Sequence, residues 1–487
     1  MTVGNRWALI VICGLAIALA GCGGSSSGVA PTPTGSFTNA NLSGTYAFAV
    51  TGQNQNGFFT AAGTFQADGN GNITSGTEDV NNAGGVFSNV AFTGAYGVSA
   101  DGRGLATLNA FVGTIDLDFV LLNSGQHGLV IRFDTNSSAS GTLDRQDSSA
   151  FSAAALQGQF AFNLSGIDSA GNPVSSVGSF SADGVSALNS GMEDTNDAGT
   201  YSANAAFTGS YTVAANGRGT VTFPTPMGSQ QNFVFYVVNA NHVKMIELDT
   251  AQVLAGDAYR QSGTFSNATL SGPYAFAVAG ASNSGPFGFG GLFTANGSGG
   301  ITGGVEDFNN AGRLSQNVSV TSGTYNLASN GRGTLTLISS AGTSDFVFYP
   351  TSAGGIQVMS IDPTPVAGGT AFAQQSGGYS AASLQTVYGF NASGVDSVTG
   401  EVDNVAAITA NGSGKLTGTA DFNYSGALSR QLSYDGSYSV ASNGRGTATL
   451  TSNEGTQTFT FYVVSPTQVL LLEEDPGLIT AGTMLQQ

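Results

Sequence analysis

The sequence predicts an all-β protein made of four tandem antiparallel domains of about 114 residues, each an eight-stranded up-and-down β-barrel. Three observations support this fold class. One motif returns four times along the chain, apolar and polar residues alternate in short runs, and 72 glycines accompany 41% hydrophobic residues. Helical periodicity with capping residues is absent. A β-sandwich in each unit is the alternative architecture.

The repeat fixes the domain boundaries. Four aligned openings begin at Phe37, Phe151, Phe265 and Tyr379, with a step of 114 residues each time. A solenoid repeat is only about 20–50 residues long, whereas a unit of this length can bury its own core. The predicted units are therefore 37–150, 151–264, 265–378 and 379–487.

Within a unit, alternation with a period of two indicates strands, as where Thr220 and Thr222 alternate with Val221 and Phe223. The second unit is predicted to contain eight strands, at residues 160–167, 177–182, 187–195, 205–214, 219–223, 233–238, 243–248 and 255–261. Asp-Gly or Asn-Gly pairs separate strands two and three and strands four and five, and these pairs favour tight hairpins. They are Asp68-Gly69, Asp183-Gly184, Asn296-Gly297, Asn411-Gly412, Asp101-Gly102, Asn216-Gly217, Asn330-Gly331 and Asn443-Gly444.

A meander of eight strands with a glycine–x–aromatic opening, such as Gly44-Thr45-Tyr46, resembles the calycin barrels of lipocalins and avidins. The resemblance implies a closed barrel whose interior is filled or holds a small ligand. The fourth unit departs from the opening, because Thr386 replaces the glycine.

The first residues form a targeting segment. Arg6 precedes an apolar run at 8–20, which is too short for a usual membrane-spanning helix and is typical of a signal peptide. The run ends in Leu19-Ala20-Gly21-Cys22, which resembles the lipobox of bacterial lipoproteins. That resemblance implies a signal peptide at 1–21 and a lipid on Cys22. An ordinary signal peptide with a chance cysteine is the alternative.

Residues 22–36, rich in Gly, Ser, Pro and Thr, are predicted to be a tether. The chain as a whole resembles glycine-rich repeat lipoproteins of bacteria. Gly23 occupies the place where an aspartate often signals retention at the inner membrane, so the resemblance implies a cell-envelope location, at the outer membrane or cell surface. Cys13 leaves with the signal peptide, and Cys22 alone supports no disulfide framework.

The charge balance excludes two classes of partner. With 12 basic against 30 acidic residues, the formal net charge is −18. Nucleic-acid phosphates and anionic lipid surfaces both require clustered Lys and Arg. The membrane contact expected is therefore the N-terminal lipid, beside an unidentified envelope or extracellular partner.

One rim of each predicted barrel repeats two carboxylates and an amide, which are oxygen ligands suited to Ca²⁺. Asp and Asn that bond their own turns are the simpler interpretation. No other cofactor is predicted. The rim residues are Asp79, Asn81, Asp134, Asp194, Asn196, Asp249, Asp307, Asn309, Asp362, Asp421, Asn423 and Asp475.

An arginine also recurs at the opposite end of each unit, near the aromatic residue of strand one. We predict a structural plug in which the guanidinium stacks on that aromatic ring, and an anion-binding arginine is the alternative. The residues are Arg103, Arg218, Arg332 and Arg445, with Tyr46, Phe160, Tyr274 and Tyr388.

Catalysis finds little support in the sequence. Glu and Asp neighbours on a strand point to opposite faces, so they do not form an acid–base pair. We therefore expect a non-enzymatic, lipid-anchored envelope protein with a binding, adhesion or surface-structural role. A small-molecule carrier with ligand inside the barrels is the second hypothesis, and a polysaccharide-acting enzyme using Asp79 and Asp134 is the third. An open cavity of about 300 Å³ or more would favour the carrier.

Overall fold

The computed structural model describes residues 37–82, 85–111, 113–224 and 230–487. The predicted signal peptide, the lipidation site Cys22 and the whole predicted tether lie outside the described residues. Across the ranges that are described, no helix has both the length and the apolar character needed to cross a membrane.

Within these described ranges, thirty-two strands form four closed antiparallel barrels. Barrel 1 contains β1 (Ser43–Asn54), β2 (Gly57–Asp68), β3 (Asn72–Asn82), β4 (Gly85–Val98), β5 (Arg103–Ala110), β6 (Gly113–Leu122), β7 (His127–Asp134) and β8 (Ser137–Arg145). Barrel 2 contains β9 (Gly158–Asp168), β10 (Pro173–Ala182), β11 (Ala187–Asp197), β12 (Thr200–Val213), β13 (Arg218–Pro224), β14 (Gln230–Asn239), β15 (His242–Glu247) and β16 (Gln252–Gln261).

Barrel 3 contains β17 (Ser271–Ser282), β18 (Gly285–Asn296), β19 (Gly300–Asn310), β20 (Arg313–Leu327), β21 (Gly333–Ser339), β22 (Gly342–Pro350), β23 (Gly355–Ser360) and β24 (Val366–Ala373). Barrel 4 contains β25 (Val387–Asp396), β26 (Gly400–Ala410), β27 (Lys415–Tyr424), β28 (Ala427–Val440), β29 (Arg445–Ser452), β30 (Gly455–Ser465), β31 (Gln468–Glu473) and β32 (Leu478–Gln486). Short 3-10 turns lie at Asn39–Asn41, Asn123–Gly125, Ser148–Ala150, Ala153–Leu156, Asn267–Thr269 and Ala381–Ser383.

Closure of each barrel confirms the predicted fold class over the sandwich alternative. The first strand pairs with both the second and the last strand, as where β1 pairs with β2 and with β8. Every strand therefore has two neighbours, and the sheet has no exposed edge. The predicted hairpins are also present, since Gly184 and Gly217 adopt φ of +83° and +80°, a region that glycine enters at no steric cost.

Aromatic side chains pack in the barrel interiors, and a glycine on strand five of each barrel is among those that make room for them. A Cβ added to Gly104 on β5 would lie 2.3 Å from the ring of Phe119 on β6. The same close approach recurs in the other barrels, at Gly219 with Phe235, Gly333 with Phe348, and Gly446 with Phe461. Glycine in this chain therefore serves core packing as well as turns.

The four barrels contact one another in cyclic order. Strands one and two of each barrel pack against strands six to eight of the next, and barrel 4 packs in the same way on barrel 1. Side chains of strand three reach the same neighbouring strands through hydrogen bonds. Each junction contains its own buried apolar patch. Because the two faces in contact differ, the interface is heterologous, and four such contacts close into a ring.

Candidate functional site

The aspartate that recurs on strand three of every barrel lies at the junction with the next barrel. Asp79 of barrel 1 accepts two hydrogen bonds from Arg218 of barrel 2, at 2.8 Å from Nε and 2.7 Å from Nη2. The hydroxyl of Tyr236 donates to the same carboxylate, as does the backbone N–H of Asn89 at 2.9 Å. Burial alone would raise the pKa of Asp79, but the hydrogen bonds from Arg218, Tyr236 and Ser88 outweigh it and lower that pKa.

This arrangement is repeated around the ring. Asp194 binds Arg332 and Tyr349, and Asp307 binds Arg445 and Tyr462, with donor–acceptor distances between 2.5 and 2.9 Å. The aspartate also accepts the backbone N–H of a strand-four residue with positive φ, which is Asn89, Asn204, Asn317 or Gln431. A local bulge on strand four therefore orients the carboxylate toward the neighbouring barrel.

The junction between barrels 4 and 1 differs from the other three. Arg103 approaches Asp421 through Nη1 alone, at 2.9 Å, and its Nε donates to Asp101 of its own barrel. Val120 pairs with Arg103 where the other barrels have a tyrosine. A second ion pair compensates for this loss, because Arg430 of barrel 4 binds both oxygens of Asp118 at 2.7 Å.

The amides of strand three also cross the junctions. The side-chain N–H₂ of Asn81 donates to the carbonyls of Glu247 and Asp249 of barrel 2, both at 2.9 Å. The equivalent amides behave alike and donate to the following carbonyls: Asn196 to Ser360 and Asp362, Asn309 to Glu473 and Asp475, and Asn423 to Arg132 and Asp134. A glutamine at or directly after the end of strand eight adds a further contact, as Gln146 donates to Val237, Gln261 to Pro350 and Gln374 to Val463.

The residues predicted as calcium ligands are thus divided between barrels. Asp79 binds Arg218, and Asn81 lies against the backbone of barrel 2 rather than beside Asp134 of its own barrel. The last rim aspartate of each barrel accepts a backbone N–H of strand six, in the pairs Asp134 with Asp116, Asp249 with Asn232, Asp362 with Asp345 and Asp475 with Thr458. Over the described ranges, no three His, Cys, Asp or Glu side chains are grouped so that they could hold a metal ion.

The prediction that the four arginines stack on the strand-one aromatics is corrected. Their guanidiniums bind carboxylates of the neighbouring barrel, whereas the hydroxyl of Tyr46 donates to the carbonyl of Gly125 at 2.9 Å within its own barrel. A guanidinium does cover Phe160, at 4.9 Å from the ring centroid, but it belongs to Arg260 on strand eight. A charge-assisted bond to a buried carboxylate is stronger than a cation–π contact.

Two inward positions, on strands three and seven, distinguish the barrel interiors. The strand-seven position is defined by register, because it pairs with an inward residue of strand six in each barrel: Leu117 with Arg132, Phe233 with Glu247, Phe346 with Ser360, and Phe459 with Glu473. The inward position on strand three is occupied in barrels 1 to 4 by Glu78, Glu193, Glu306 and Ala420, respectively. Barrel 3 therefore combines the inward carboxyl group of Glu306 on strand three with the small side chain of Ser360 on strand seven.

An open cavity of about 460 Å³ lies in the mouth of barrel 3. Its lining includes Phe287, Phe289, Phe308 and Phe346, with Glu306 and Ser360 in the interior and Arg313 at the rim. The interiors of barrels 1 and 2 are nearly filled, with cavities of about 40 and 30 Å³. The small side chain of Ser360 leaves space that Arg132 and Glu247 occupy in the other two barrels.

Glu306 is the polar group at this cavity. Its side chain is 1% exposed, and Oε2 has no hydrogen-bond partner within the described residues. Burial raises the pKa of Glu306 above its ordinary value. A buried acceptor without a donor costs free energy, which a ligand that supplies a donor would recover.

Sequence reasoning recognised that Glu and Asp neighbours face opposite sides, and Glu306 beside Asp307 confirms it. It did not single out Glu306, because alternation along a strand does not show which of the two faces points into the barrel. One signal could have indicated the cavity. The inward position of strand seven is Arg132 in barrel 1 and Glu247 in barrel 2 but the small Ser360 in barrel 3, and recognising that these residues are equivalent requires the strand register.

No protein-family model matches the chain, and comparison with curated proteins finds no significant match. Among solved structures, the chain is similar to a double mutant of transferrin binding protein B, a vaccine antigen from Haemophilus parasuis Hp5. The identity is 8%, 90% of this chain and 94% of that chain are covered, and the TM-score is 0.18. It is also similar to CghA, with 9% identity, coverage of 81% and 90%, and a TM-score of 0.17. Similarities this weak carry no functional inference.

Replacing Asp194 by Asn should destabilise the junction between barrels 2 and 3, because Arg332 and Tyr349 lose their shared charged acceptor. We expect the free energy of unfolding to fall by about 3 kcal/mol in urea titrations. Asp435→Asn is the matched control, since Asp435 pairs with Lys415 at the exposed surface and should cost less than about 1 kcal/mol. Equal effects of the two variants would contradict a structural role for the junction.

Glu247 generates a pH-dependent prediction. Burial, with the nearby Asp249 and Glu193, raises the pKa of Glu247 to about 8 from an ordinary 4.5. The native state therefore retains a proton that the unfolded chain releases above pH 4.5, so stability falls as pH rises from there to about 8. Glu247→Gln removes this loss and should raise the melting temperature at pH 8.5 by about 2–4 °C more than at pH 4. Exposed Glu454→Gln is the control, and a gain independent of pH would refute the assignment.

Proposed function

We propose that this chain is a lipid-anchored cell-envelope protein that binds a small molecule in the mouth of barrel 3. The observation behind this proposal is the cavity of about 460 Å³ lined by Glu306, Ser360 and phenylalanine rings. Ligand pockets typically enclose about 300–1,000 Å³ and combine apolar walls with a few polar groups. The other barrels then serve as a scaffold that holds barrel 3.

The cavity favours the carrier hypothesis over adhesion as the role of barrel 3. Adhesion through four equivalent rims would use the repeated Asp and Asn side chains, but Asp79, Asp194 and Asp307 are buried at the junctions. The same burial removes support for glycoside hydrolysis by Asp79 and Asp134, because the carboxylate of Asp79 is bound to Arg218. The proposed role is therefore binding without chemistry.

The envelope location rests on the sequence alone. The lipobox-like Leu19-Ala20-Gly21-Cys22 and the tether that follows support attachment of a lipid to Cys22. More than one acyl chain is needed for stable anchoring, as expected at a lipidated N-terminal cysteine. Outer-membrane or cell-surface placement belongs to the same proposal.

Filling the cavity tests the binding role. Ser360→Arg introduces the residue that barrel 1 carries at this position, and Ser322→Arg places the same side chain on the exposed face of β20. In a thermal-shift screen of small amphipathic compounds, a ligand at 100 times its Kd should stabilise wild-type protein by about 2.7 kcal/mol. Ser322→Arg should retain the shift and Ser360→Arg should lose it. If Ser360→Arg keeps the ligand-induced thermal shift, the ligand binds outside the cavity of barrel 3.

Removal of the thiol tests the anchor. In cells, the wild-type chain should sediment with the membrane fraction and enter the detergent phase of a Triton X-114 partition. Cys22→Ser should move the chain to the aqueous phase, because no acyl chain can be attached, whereas Cys13→Ser should leave it with the membrane. Detergent-phase partitioning of Cys22→Ser would rule out lipidation at this residue.

A further inference from the structure

We propose that the ligand of barrel 3 is a small organic ammonium whose charged nitrogen bonds Glu306 and whose apolar body packs on the phenylalanine walls. This inference rests on the proposed binding function and specifies the chemical class of the ligand. It follows from the polar group, the walls and the charge of the same cavity.

The first argument is the acceptor. Glu306 Oε2 is buried and accepts no hydrogen bond from the part of the chain that the structure describes, so the site offers an acceptor that a ligand N–H can complete. In barrel 4 the equivalent space shows the alternative solution, where the inward Glu473 accepts hydrogen bonds from Gln457 and Thr480. In barrel 3 the hydroxyl of Ser339 interacts with the carboxyl group of Glu306 and partly offsets the rise in its pKa, but within the described residues no donor bonds Oε2, which leaves that oxygen available.

The second argument is the aromatic wall. Phe289 and Phe308 stack with centroids 4.2 Å apart, and Phe346 lies 6.0 Å from Phe289. Aromatic faces attract cations and also bury the apolar part of a ligand. An ammonium attached to an aromatic or aliphatic body uses both properties.

The third argument is charge. Glu306 and Asp362 both line the cavity, and among the described residues of its lining the one basic side chain is Arg313, at an exposed rim position. An anionic ligand would have to be desolvated beside two carboxyl groups, which is unfavourable. A neutral alcohol would satisfy Oε2, but a charge-assisted hydrogen bond is about twice as strong.

Three probes that share a phenylethyl body and differ in the terminal group separate these ligand classes: 2-phenylethylamine, 2-phenylethanol and 3-phenylpropionate, each titrated calorimetrically into the full chain. We expect the amine to bind most tightly. Glu306→Gln should weaken amine binding at least about tenfold, as expected for loss of a charged hydrogen bond, and should change alcohol binding by less than about threefold. Exposed Glu454→Gln is the matched control and should bind all three probes as wild type does.

The outcomes distinguish this inference from the proposed function. If 3-phenylpropionate binds most tightly, the ligand is not an ammonium. The same conclusion follows if amine binding is unchanged in Glu306→Gln but lost in Ser360→Arg. Either result would still leave the cavity as a binding site. Absence of binding by every probe and every screened compound would overturn the proposed function itself. If Glu306→Gln fails to fold, the order of probe affinities for the wild-type protein still tests the ammonium class.

Discussion

The contact between a buried strand-three aspartate and an arginine of the next barrel is the interaction on which the arrangement of this protein depends. At three junctions the carboxylate receives two guanidinium nitrogens and a tyrosine hydroxyl from the next barrel. At the fourth it receives one guanidinium nitrogen from the next barrel. Leaving a buried carboxylate such as Asp194 unpaired would be costly. The buried carboxylate of each barrel is therefore neutralised by an arginine of the next barrel. The position of that arginine determines which face of the next barrel it contacts.

Two adjacent residues of strand three perform two different tasks because a strand alternates its faces. Asp307 points outward to Arg445 of barrel 4, whereas Glu306 points into its own barrel. The outward residue is constant because all four junctions need it. The inward residue changes to Ala420 in barrel 4, since the interior of each barrel is packed independently.

The specialisation of barrel 3 arises from a small number of substitutions within this common frame. Ser360 stands where the other barrels have Arg132, Glu247 or Glu473, and the space it leaves opens beside Glu306. Repetition of a unit allows one copy to acquire a site while the others keep the fold. The residues that recur four times are accordingly structural here, and the candidate site lies where the copies differ.

The sequence by itself determined the all-β class, the repeat, the eight strands per unit and the Asx-Gly hairpins, because alternation and turn chemistry are local properties of the chain. It also identified the recurrent Asp, Asn and Arg residues, but it assigned them to sites within one barrel. Only the tertiary structure decided that Arg218 meets Asp79 across a junction and that Glu306 borders a cavity. The physical reason is that partners separated by more than a hundred residues are brought together by packing of whole barrels, for which a single sequence gives no local signal.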